Sequence, residues 1–306
     1  MSSSTLISVI ICTHNPRLDY LDRVLKALDL QTLSKEMWEL LLIDNASKKI
    51  LSTEIDLSWH PNSRHIREEQ LGLTPSRIRG IKESTANSIV FVDDDNVLNL
   101  DYLEVTLGIS QKWINIGAWG GQVRADFEVN PPDWIKSYLG ALAIREFDRD
   151  SWSNFIGHNS STPCGAGLCI RRIVAEKYAT KTIQDLHRIK LDRTGNKLTS
   201  CGDSDIAFTS CDIGLGLGQF TSLKLTHLIP SQRLEEEYME RLIEGINYSG
   251  VILSHLRGFD VAFPRRSILQ KLIDFYRLVK MSDIDRRMYL AAKKGEKKAV
   301  IEIFNN

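Results

Sequence analysis

Residues 88–96 of the chain have the sequence SIVFVDDDN, in which an apolar run is followed by three aspartates. An uninterrupted apolar run of this length is typical of a β-strand that is buried on both faces. Two earlier segments have the same form: residues 6–12 (LISVIIC) end before Thr13, and residues 39–43 (ELLLI) end at Asp44. Three separate strands are therefore predicted to end in polar side chains.

Helical segments are predicted between these strands. Leucines at positions 18, 21, 25 and 28 give the first an apolar stripe, with Asn15 as its predicted N-cap and Pro16 as its first residue. A second short helix is predicted over residues 76–84. Alternating buried strands and helices predict a mostly parallel sheet with helices on both faces. In such sheets ligands bind beyond the carboxyl ends of the strands, where Thr13, Asp44 and the three aspartates are expected to meet.

The rest of the chain is less regular. Strands are predicted over residues 117–123, 162–171 and 220–229, a loop over 128–134 and a helix over 203–213. From Arg233 onward the pattern is helical, with a break around residues 258–264. A length of 306 residues exceeds the ~150 residues typical of one domain. We therefore expect one large α/β domain with a C-terminal helical appendage.

Composition excludes several classes of protein. Hydrophobic residues make up 42% of the chain, and 39 Lys+Arg balance 39 Asp+Glu, which argues against disorder and against a generally basic nucleic-acid binder. No apolar run approaches the ~20 residues of a membrane span, and no signal peptide is recognised at the start. Five cysteines without a CxxC pair indicate buried thiols rather than disulfides. A cytoplasmic location is expected.

The aspartates Asp93, Asp94 and Asp95 are the first candidate site. Adjacent carboxylates repel one another unless a cation compensates them, and Mg²⁺ or Mn²⁺ does so through oxygen ligands. The alternative is a solvated acidic turn before a helix. The position directly after a buried strand favours the metal site.

A second group of carboxylates occurs at Asp203 and Asp205, just before the predicted helix. Either they cap the helix, or one is a general base that accepts a proton from an attacking hydroxyl. His227, on the apolar face of its strand, is either a core residue or a metal or phosphate ligand. Arg77 and Arg79 are either surface charges or contacts to phosphate or a nucleotide base.

Six segments, taken in order, resemble the family-2 glycosyltransferases of the GT-A fold: SVIICTHN, LLIDNAS, QLGLTPSRIRGI, IVFVDDDN, GAGLCIRR and SCGDSDI. The resemblance extends over about residues 6–230. It implies a glycosyltransferase domain at 1–230, with a nucleotide-sugar half at 1–115 and an acceptor half at 116–230, followed by a helical region at 231–306.

The resemblance implies transfer of one sugar, with inversion, from a nucleotide-diphosphate sugar such as a UDP-sugar to a hydroxyl of a glycan or lipid-linked saccharide in polysaccharide or glycoconjugate assembly. Mn²⁺ or Mg²⁺ would assist. Residue by residue, the resemblance implies that Asp203 is the catalytic base. Thr13, Asn15, Asp44 and Arg77 would contact the nucleotide. Asp93 or Asp94 would contact the ribose or the metal, and the glycines of residues 165–167 would lie near the sugar and the acceptor. The implied donor-binding residues are Thr13, Asn15, Asp44, Arg77, Asp93, Asp94 and Gly167. The expected metal ligands are Asp93 and Asp95, which the resemblance implies, and His227, the candidate named above from its place on the strand.

The sequence departs from the family pattern at two positions. Gly202 stands where a glutamate usually precedes the base, which leaves Asp205 as an alternative base, and Ile78 stands where an asparagine usually follows the arginine. A catalytically silent nucleotide-sugar-binding module is therefore one alternative. A nucleotidyltransferase that makes nucleotide sugars is another, although residues 13–20 (THNPRLDY) lack the Gly-rich basic loop it needs.

The C-terminal segment has a charge of its own. Residues 264–298 contain eleven basic and four acidic side chains, a balance of +7, so the rest of the chain sums to −7. Apolar residues interleaved with Lys271, Arg277 and Lys280 suit a helix lying on anionic lipid. The alternative is a helix packed on the transferase domain with a solvated basic face. The membrane interpretation predicts a peripheral protein on the inner face of the membrane.

Overall fold

The protein is described by a computed structural model covering residues 5–261 and 267–305. Within those ranges the strands are β1 (Ile7–Thr13), β2 (Trp38–Asn45), β3 (Ser63–Glu68), β4 (Ser88–Val92), β5 (Asn96–Leu98), β6 (Ile116–Phe127), β7 (Ser151–Ser153), β8 (Cys169–Arg171) and β9 (Gly216–Ile229). The α-helices are α1 (Leu18–Asp29), α2 (Leu73–Glu83), α3 (Tyr102–Lys112), α4 (Arg172–Gln184), α5 (Leu186–Ile189), α6 (Gly202–Asp212), α7 (Glu236–Leu256), α8 (Ile268–Lys280) and α9 (Asp283–Asn305). Short 3₁₀ helices include Asp133–Leu142 and Ser231–Leu234.

The strands form one sheet in the order β3-β2-β1-β4-β8-β6-β9-β5, with β7 paired to β9. The first four strands of this order run parallel, and β6 is parallel to β9 along most of its length. The short strand β8 joins the two parallel sets through antiparallel pairings. The predicted α/β fold with a mostly parallel sheet between helices is confirmed.

Side chains that alternate along the central strands fill two apolar layers. Ile7, Val9 and Ile11 of β1 point into a core that they share with Leu21, Leu25 and Leu28 of the predicted stripe of α1. Leu18, predicted to belong to the same stripe, is exposed. Ile10 points to the opposite layer, where α2, α4 and α6 pack. Because both faces are covered, the central strands carry no polar face, and this is why they were recognisable as continuous apolar runs.

Some local predictions were wrong. Asn15 is not the N-cap of α1, which begins at Leu18 with Arg17 as its N-cap. Asn15 has a φ of 50°, and its Oδ1 accepts a hydrogen bond from Lys48 N at 2.8 Å instead. The predicted strand over residues 162–171 is reduced to β8, because Gly167 has a φ of 68° and turns the chain just before it.

The C-terminal helices α7 and α9 pack against the rest of the domain. They form an apolar core with the 3₁₀ helix Asp133–Leu142 and the end of β9. The helix predicted from Arg233 onward is interrupted after Leu256, and Gly258 has a φ of 79°. Residues 262–264 of the predicted break, and residues 265 and 266 after it, lie outside the described residues. Within 5–261 and 267–305, none of the helices is long and apolar enough to traverse a bilayer.

Candidate active site

A cavity of about 320 Å³ opens at the carboxyl ends of β1 and β4. The first turns of α2 and α6, the segment after α5 and the 3₁₀ helix Asp133–Leu142 complete its walls. The polar residues that line it are Thr13, His14, Asn45, Ser76, Arg77, Asp93, Asp94, Asp95, Asp192, Arg193, Ser200, Asp203, His227, Arg233 and Tyr238. Five of the sequence-predicted acidic or basic site residues are brought together here with Thr13 and His227: Arg77, Asp93, Asp94, Asp95 and Asp203.

The three aspartates after β4 form the acidic end of the cavity. The Thr13 hydroxyl donates to Asp94 Oδ2, which joins the end of β1 to that of β4. Burial and the neighbouring charge of Asp95 raise the pKa of Asp94 to about 7. The same two causes raise the pKa of Asp93. Carboxylates held this close in a buried site require compensating positive charge to remain ionised.

Asp95 obtains that compensation from the end of β9 and the turn that follows. Its Oδ2 lies 2.9 Å from Arg233 Nη2 and 3.3 Å from His227 Nε2. Burial by itself would raise the pKa of Asp95, but the positively charged side chains around it hold that pKa below its usual range. Asp95 therefore remains a carboxylate while its neighbours are drawn toward protonation.

The hydrogen-bond network assigns the tautomer of His227. Its Nδ1 lies 3.0 Å from the Leu142 carbonyl, which can only accept, so Nδ1 carries the proton. Nε2 then faces Asp95 as an acceptor and receives a hydrogen bond from Arg233 Nη1 at 3.0 Å. Two acceptors that face each other need a cation between them, and in this structure the guanidinium of Arg233 supplies it.

The same pair fits a divalent cation. A carboxylate and an imidazole whose other nitrogen is fixed by a carbonyl are typical of oriented metal ligands. Within the described ranges no three His, Cys, Asp or Glu side chains converge as a ready-made metal site. Mg²⁺ commonly takes only one or two carboxylates from the protein and completes its shell with water and substrate phosphates. Asp95 and His227 are the side chains that would hold such a cation.

Asp203 also lines this cavity, from the first turn of α6. Its Oδ2 accepts from Gly165 N at 2.7 Å, and its Oδ1 accepts from Ser204 N at 2.7 Å. It also borders a second cavity, lined in part by Arg145 and Thr162. Asp203 thus stands between two cavities, which is where a base must lie if donor and acceptor enter from different sides.

Asp205, the alternative base, is enclosed by the protein. It is fully buried, its two carboxylate oxygens lie 2.7 and 2.6 Å from Arg188 Nη1, and Arg257 Nη2 lies 2.6 Å from Oδ1. Two residues along a helix turn a side chain to the opposite side. Asp205 consequently ties α6 to α5 and to the end of α7, and does not line the cavity.

The sequence matches the family described as glycosyl transferase family 2 over residues 8–178, which are 171 of the 306 residues. The chain belongs to this family. It is a glycosyltransferase, as the resemblance predicted, and the family assignment leaves no support for the nucleotidyltransferase alternative. No curated protein sequence matches the chain.

Solved structures agree on the fold. S. aureus TarS 1-349 has a TM-score of 0.52 and 15% identity, covering 97% of this chain and 81% of that one. The same TarS segment in complex with UDP has a TM-score of 0.53 and 13% identity, covering 98% of this chain and 91% of that one. GalNAc-T7 with UDP, GalNAc and Mn²⁺ has a TM-score of 0.54 and 15% identity, covering 90% of this chain and 55% of that one. At these identities the likeness shows the GT-A fold alone.

Three residues predicted to bind the donor have structural contacts of their own in this glycosyltransferase. The Asp44 carboxylate accepts from Ser47 N at 3.0 Å and from Arg67 Nη1 at 2.7 Å, and these bonds outweigh burial and lower its pKa. Asn15 is exposed and bonds the loop after β2. The Gly167 carbonyl accepts from the Tyr102 hydroxyl at 2.7 Å. Their roles in donor binding remain predictions.

The cavity of the glycosyltransferase also contains residues that the sequence did not reveal. Asp192 and Arg193 follow α5, and Arg233 and Tyr238 come from the beginning of the C-terminal helical region. None of the four belongs to a strand end or to a motif, so no periodicity or spacing marked them. The predicted boundary at residue 230 thus runs through the site, because the helical region contributes two of its wall residues.

Proposed function

We propose that the protein is an inverting, metal-dependent glycosyltransferase that moves one sugar from a nucleotide-diphosphate sugar to a hydroxyl of a glycan or lipid-linked saccharide. The observation that carries the proposal is that one cavity is lined both by the Asp95 carboxylate with the His227 imidazole and by the Asp203 carboxylate. Nucleotide-bound neighbours of the same fold support a UDP-sugar as donor.

In this proposal one group of residues stabilises the leaving diphosphate, and Asp203 activates the acceptor. Asp95 and His227 would hold Mn²⁺ or Mg²⁺, which when bound neutralises charge on the leaving diphosphate. Arg77, Arg193 and Arg233 also line this cavity and add fixed positive charge to it. Asp203 accepts the proton of the acceptor hydroxyl as that oxygen attacks the anomeric carbon from the face opposite the diphosphate, which inverts its configuration.

A panel of nucleotide sugars tests this function. Thermal shift with Mn²⁺ identifies the donor, because a ligand that binds the folded state raises its stability by mass action. Release of UDP from that donor then distinguishes an enzyme from a catalytically silent binding module. A protein that binds no nucleotide sugar with or without Mn²⁺ would contradict the proposal.

Asp203→Asn tests the base. A positioned base contributes about 10²–10⁴-fold to the rate, so we expect turnover to fall by that factor while the Kd for UDP changes less than about threefold. Asp212→Asn, at the other end of the same helix and outside the cavity, is the matched control and should keep the normal rate. Normal turnover in Asp203→Asn would show that another group is the base.

We also propose that α8 contacts a membrane surface that contains anionic lipid. Its exposed apolar side chains Leu269, Ile273, Tyr276 and Val279 recur every three or four residues, with exposed Arg277 and Lys280 among them. Such a helix suits the lipid interface. A peripheral location would bring the transferase close to a lipid-linked acceptor.

A further inference from the structure

Gly202, the residue directly before Asp203, has no room for a side chain. A Cβ atom built on it would lie 2.0 Å from Asp192 Oδ2 and 2.4 Å from Asp192 Cγ. The carboxyl group of Asp192 therefore fills the volume into which a side chain at position 202 would project. Position 202, where the family pattern has a glutamate, therefore has no side chain of its own. The carboxyl group of Asp192 occupies the space beside it.

Asp192 is held there by three hydrogen bonds. Its Oδ2 accepts from Arg77 Nη1 at 2.9 Å and from Thr74 Oγ1 at 3.2 Å, and its Oδ1 accepts from Gly202 N at 3.2 Å. The side chains of Asp192 and Arg77 are only 4% and 3% exposed. The ion pair is consequently buried, and each partner depends on the other for its compensation.

The bond to Gly202 N also gives Asp192 a role in α6. The N-cap residue of this helix is Cys201, whose side chain makes no capping hydrogen bond. Free N–H groups in the first turn of a helix are normally satisfied by such a cap. Asp192 satisfies one of them from a neighbouring segment, and it fixes the backbone immediately before Asp203.

Arg77 connects this arrangement to the base. A Cβ atom built on Gly165 would lie 3.1 Å from Arg77 Nη2 and 3.3 Å from Asp203 Oδ2, so both groups border the same glycine. Burial opposes the charge of Arg77, but the carboxylates of Asp192, Asp93 and Asp203 raise its pKa above the usual value. Without Asp192, the guanidinium would be drawn to the remaining carboxylates, Asp203 among them.

We propose that Asp192 is a positioning residue that supplies, from the segment after α5, the carboxylate missing at position 202, and that it holds Arg77 and the first turn of α6 so that Asp203 meets the acceptor. The proposal rests on the proposed function, in which Asp203 is the base. It accounts for the departure at Gly202, because a glutamate there and an aspartate at 192 would occupy the same space.

Exchanging the carboxylate between the two positions tests the proposal. Misplacing a catalytic group by about 1 Å costs up to about 100-fold in rate, so Asp192→Ala should lower kcat for UDP release about 10–100-fold. This factor should exceed the change in the Kd for UDP, which reports the donor contact predicted for Arg77. Gly202→Glu alone should be similarly impaired. The double variant Asp192→Ala/Gly202→Glu should recover at least about tenfold over Asp192→Ala, since the introduced glutamate can pair with Arg77.

Asp185→Ala is the matched control. Asp185 caps α5 by accepting from His187 N at 3.0 Å, and it does not line the cavity. Its loss should lower Tm and leave kcat unchanged. If Asp192 had only a structural role, Asp192→Ala would behave like Asp185→Ala, and the double variant would recover no turnover.

Asp192→Asn serves if Asp192→Ala does not fold, because it keeps the size of the side chain and the acceptor for Gly202 N. We expect a loss in kcat of about tenfold with a normal Kd for UDP. A normal kcat in Asp192→Asn, or a folded double variant no faster than Asp192→Ala, would overturn the proposal. Failure of the proposed function has a different result: Asp203→Asn would then keep its turnover whatever the Asp192 variants do.

Discussion

At the scale of single residues, the site is a balance of buried charges. Asp93, Asp94 and Asp95 gather at one strand end, and the guanidinium of Arg233 lies against Asp95 Oδ2 at 2.9 Å. That contact occupies the oxygen that a divalent cation would use. The arginine and the metal therefore compete for the same carboxylate, and a bound diphosphate offers Arg233 another partner.

Arg233→Gln should strengthen metal binding. Removing the competing guanidinium leaves Asp95 without its nearest cation, so we expect the Kd for Mn²⁺ in the absence of nucleotide to fall about tenfold, equivalent to about 1.4 kcal/mol. Titration followed by Mn²⁺ electron paramagnetic resonance measures this directly. The thermal shift caused by Mn²⁺ should be larger than in the wild type.

Arg79→Gln is the matched control for that experiment. Arg79 is a half-buried arginine of α2 outside the cavity, paired with Glu83 at 3.0 Å. The Arg79→Gln variant should bind Mn²⁺ with the same Kd as the wild type. Equal affinities in the two variants would contradict competition, and no Mn²⁺ binding in any of the three proteins would contradict the metal site itself.

Sequence alone could predict only part of this charge balance. The aspartates after β4 were recognisable because three carboxylates directly follow a strand buried on both faces. Asp203 and Asp205 could not be distinguished, since a motif does not show which way each side chain turns. Arg233 and Asp192 could not be predicted at all, because their contacts with Asp95 and Arg77 join segments more than 100 residues apart.

At the scale of elements, two helices at the C-terminus pack with little space between their backbones. A Cβ atom built on Gly295 of α9 would lie 2.2 Å from the Glu244 carbonyl oxygen of α7. Salt bridges flank this contact, including Lys294 with Glu244 at 2.7 Å. Gly295 is thus required by close approach of the helices.

Gly295→Ala should destabilise the protein, because the added methyl group forces α7 and α9 apart. Overpacking of this kind costs about 1–3 kcal/mol, measurable as a lower midpoint in urea unfolding. Gly250→Ala on α7 is the matched control: nothing lies within 4 Å of a Cβ built there. The same substitution should there stabilise by about 0.5–1 kcal/mol through higher helix propensity. A Gly295→Ala variant as stable as Gly250→Ala would show that the two helices separate without cost.

The elements that the sequence predicted well are those whose residue pattern is decided by burial alone. The strands β1, β2 and β4 have uninterrupted apolar runs because helices cover both faces. The short strands β3, β5 and β7 lack such runs and lie toward the outer part of the sheet order or at its side. Their pairing is decided by neighbours distant in the chain, which is information that a local pattern does not contain.

At the scale of the whole molecule, the net charge of zero is the sum of a basic C-terminal segment and an acidic remainder. The segment 264–298 has a balance of +7 and the rest of the chain −7. The acidic part contains the carboxylates of the cavity, whereas the basic segment includes α8 and most of α9. On α8, the exposed side chains of Leu269 and Ile273 are 67% and 43% accessible, so this basic helix also leaves apolar surface uncovered in the structure.

This division predicts binding to anionic vesicles. Basic residues near a membrane surface contribute about 1 kcal/mol each and are screened by salt, so co-sedimentation with phosphatidylglycerol-containing vesicles should fall as salt increases and be weak with phosphatidylcholine alone. Leu269→Glu should reduce binding at least about tenfold, because it removes a buried apolar contact of about 1.5–3 kcal/mol and adds a repelled charge. Ile114→Glu changes an equally exposed apolar residue, 68% accessible and outside the helical region, and should bind normally. Equal binding of these two variants would mean that α8 does not contact the lipid, and its apolar side would then have to face protein.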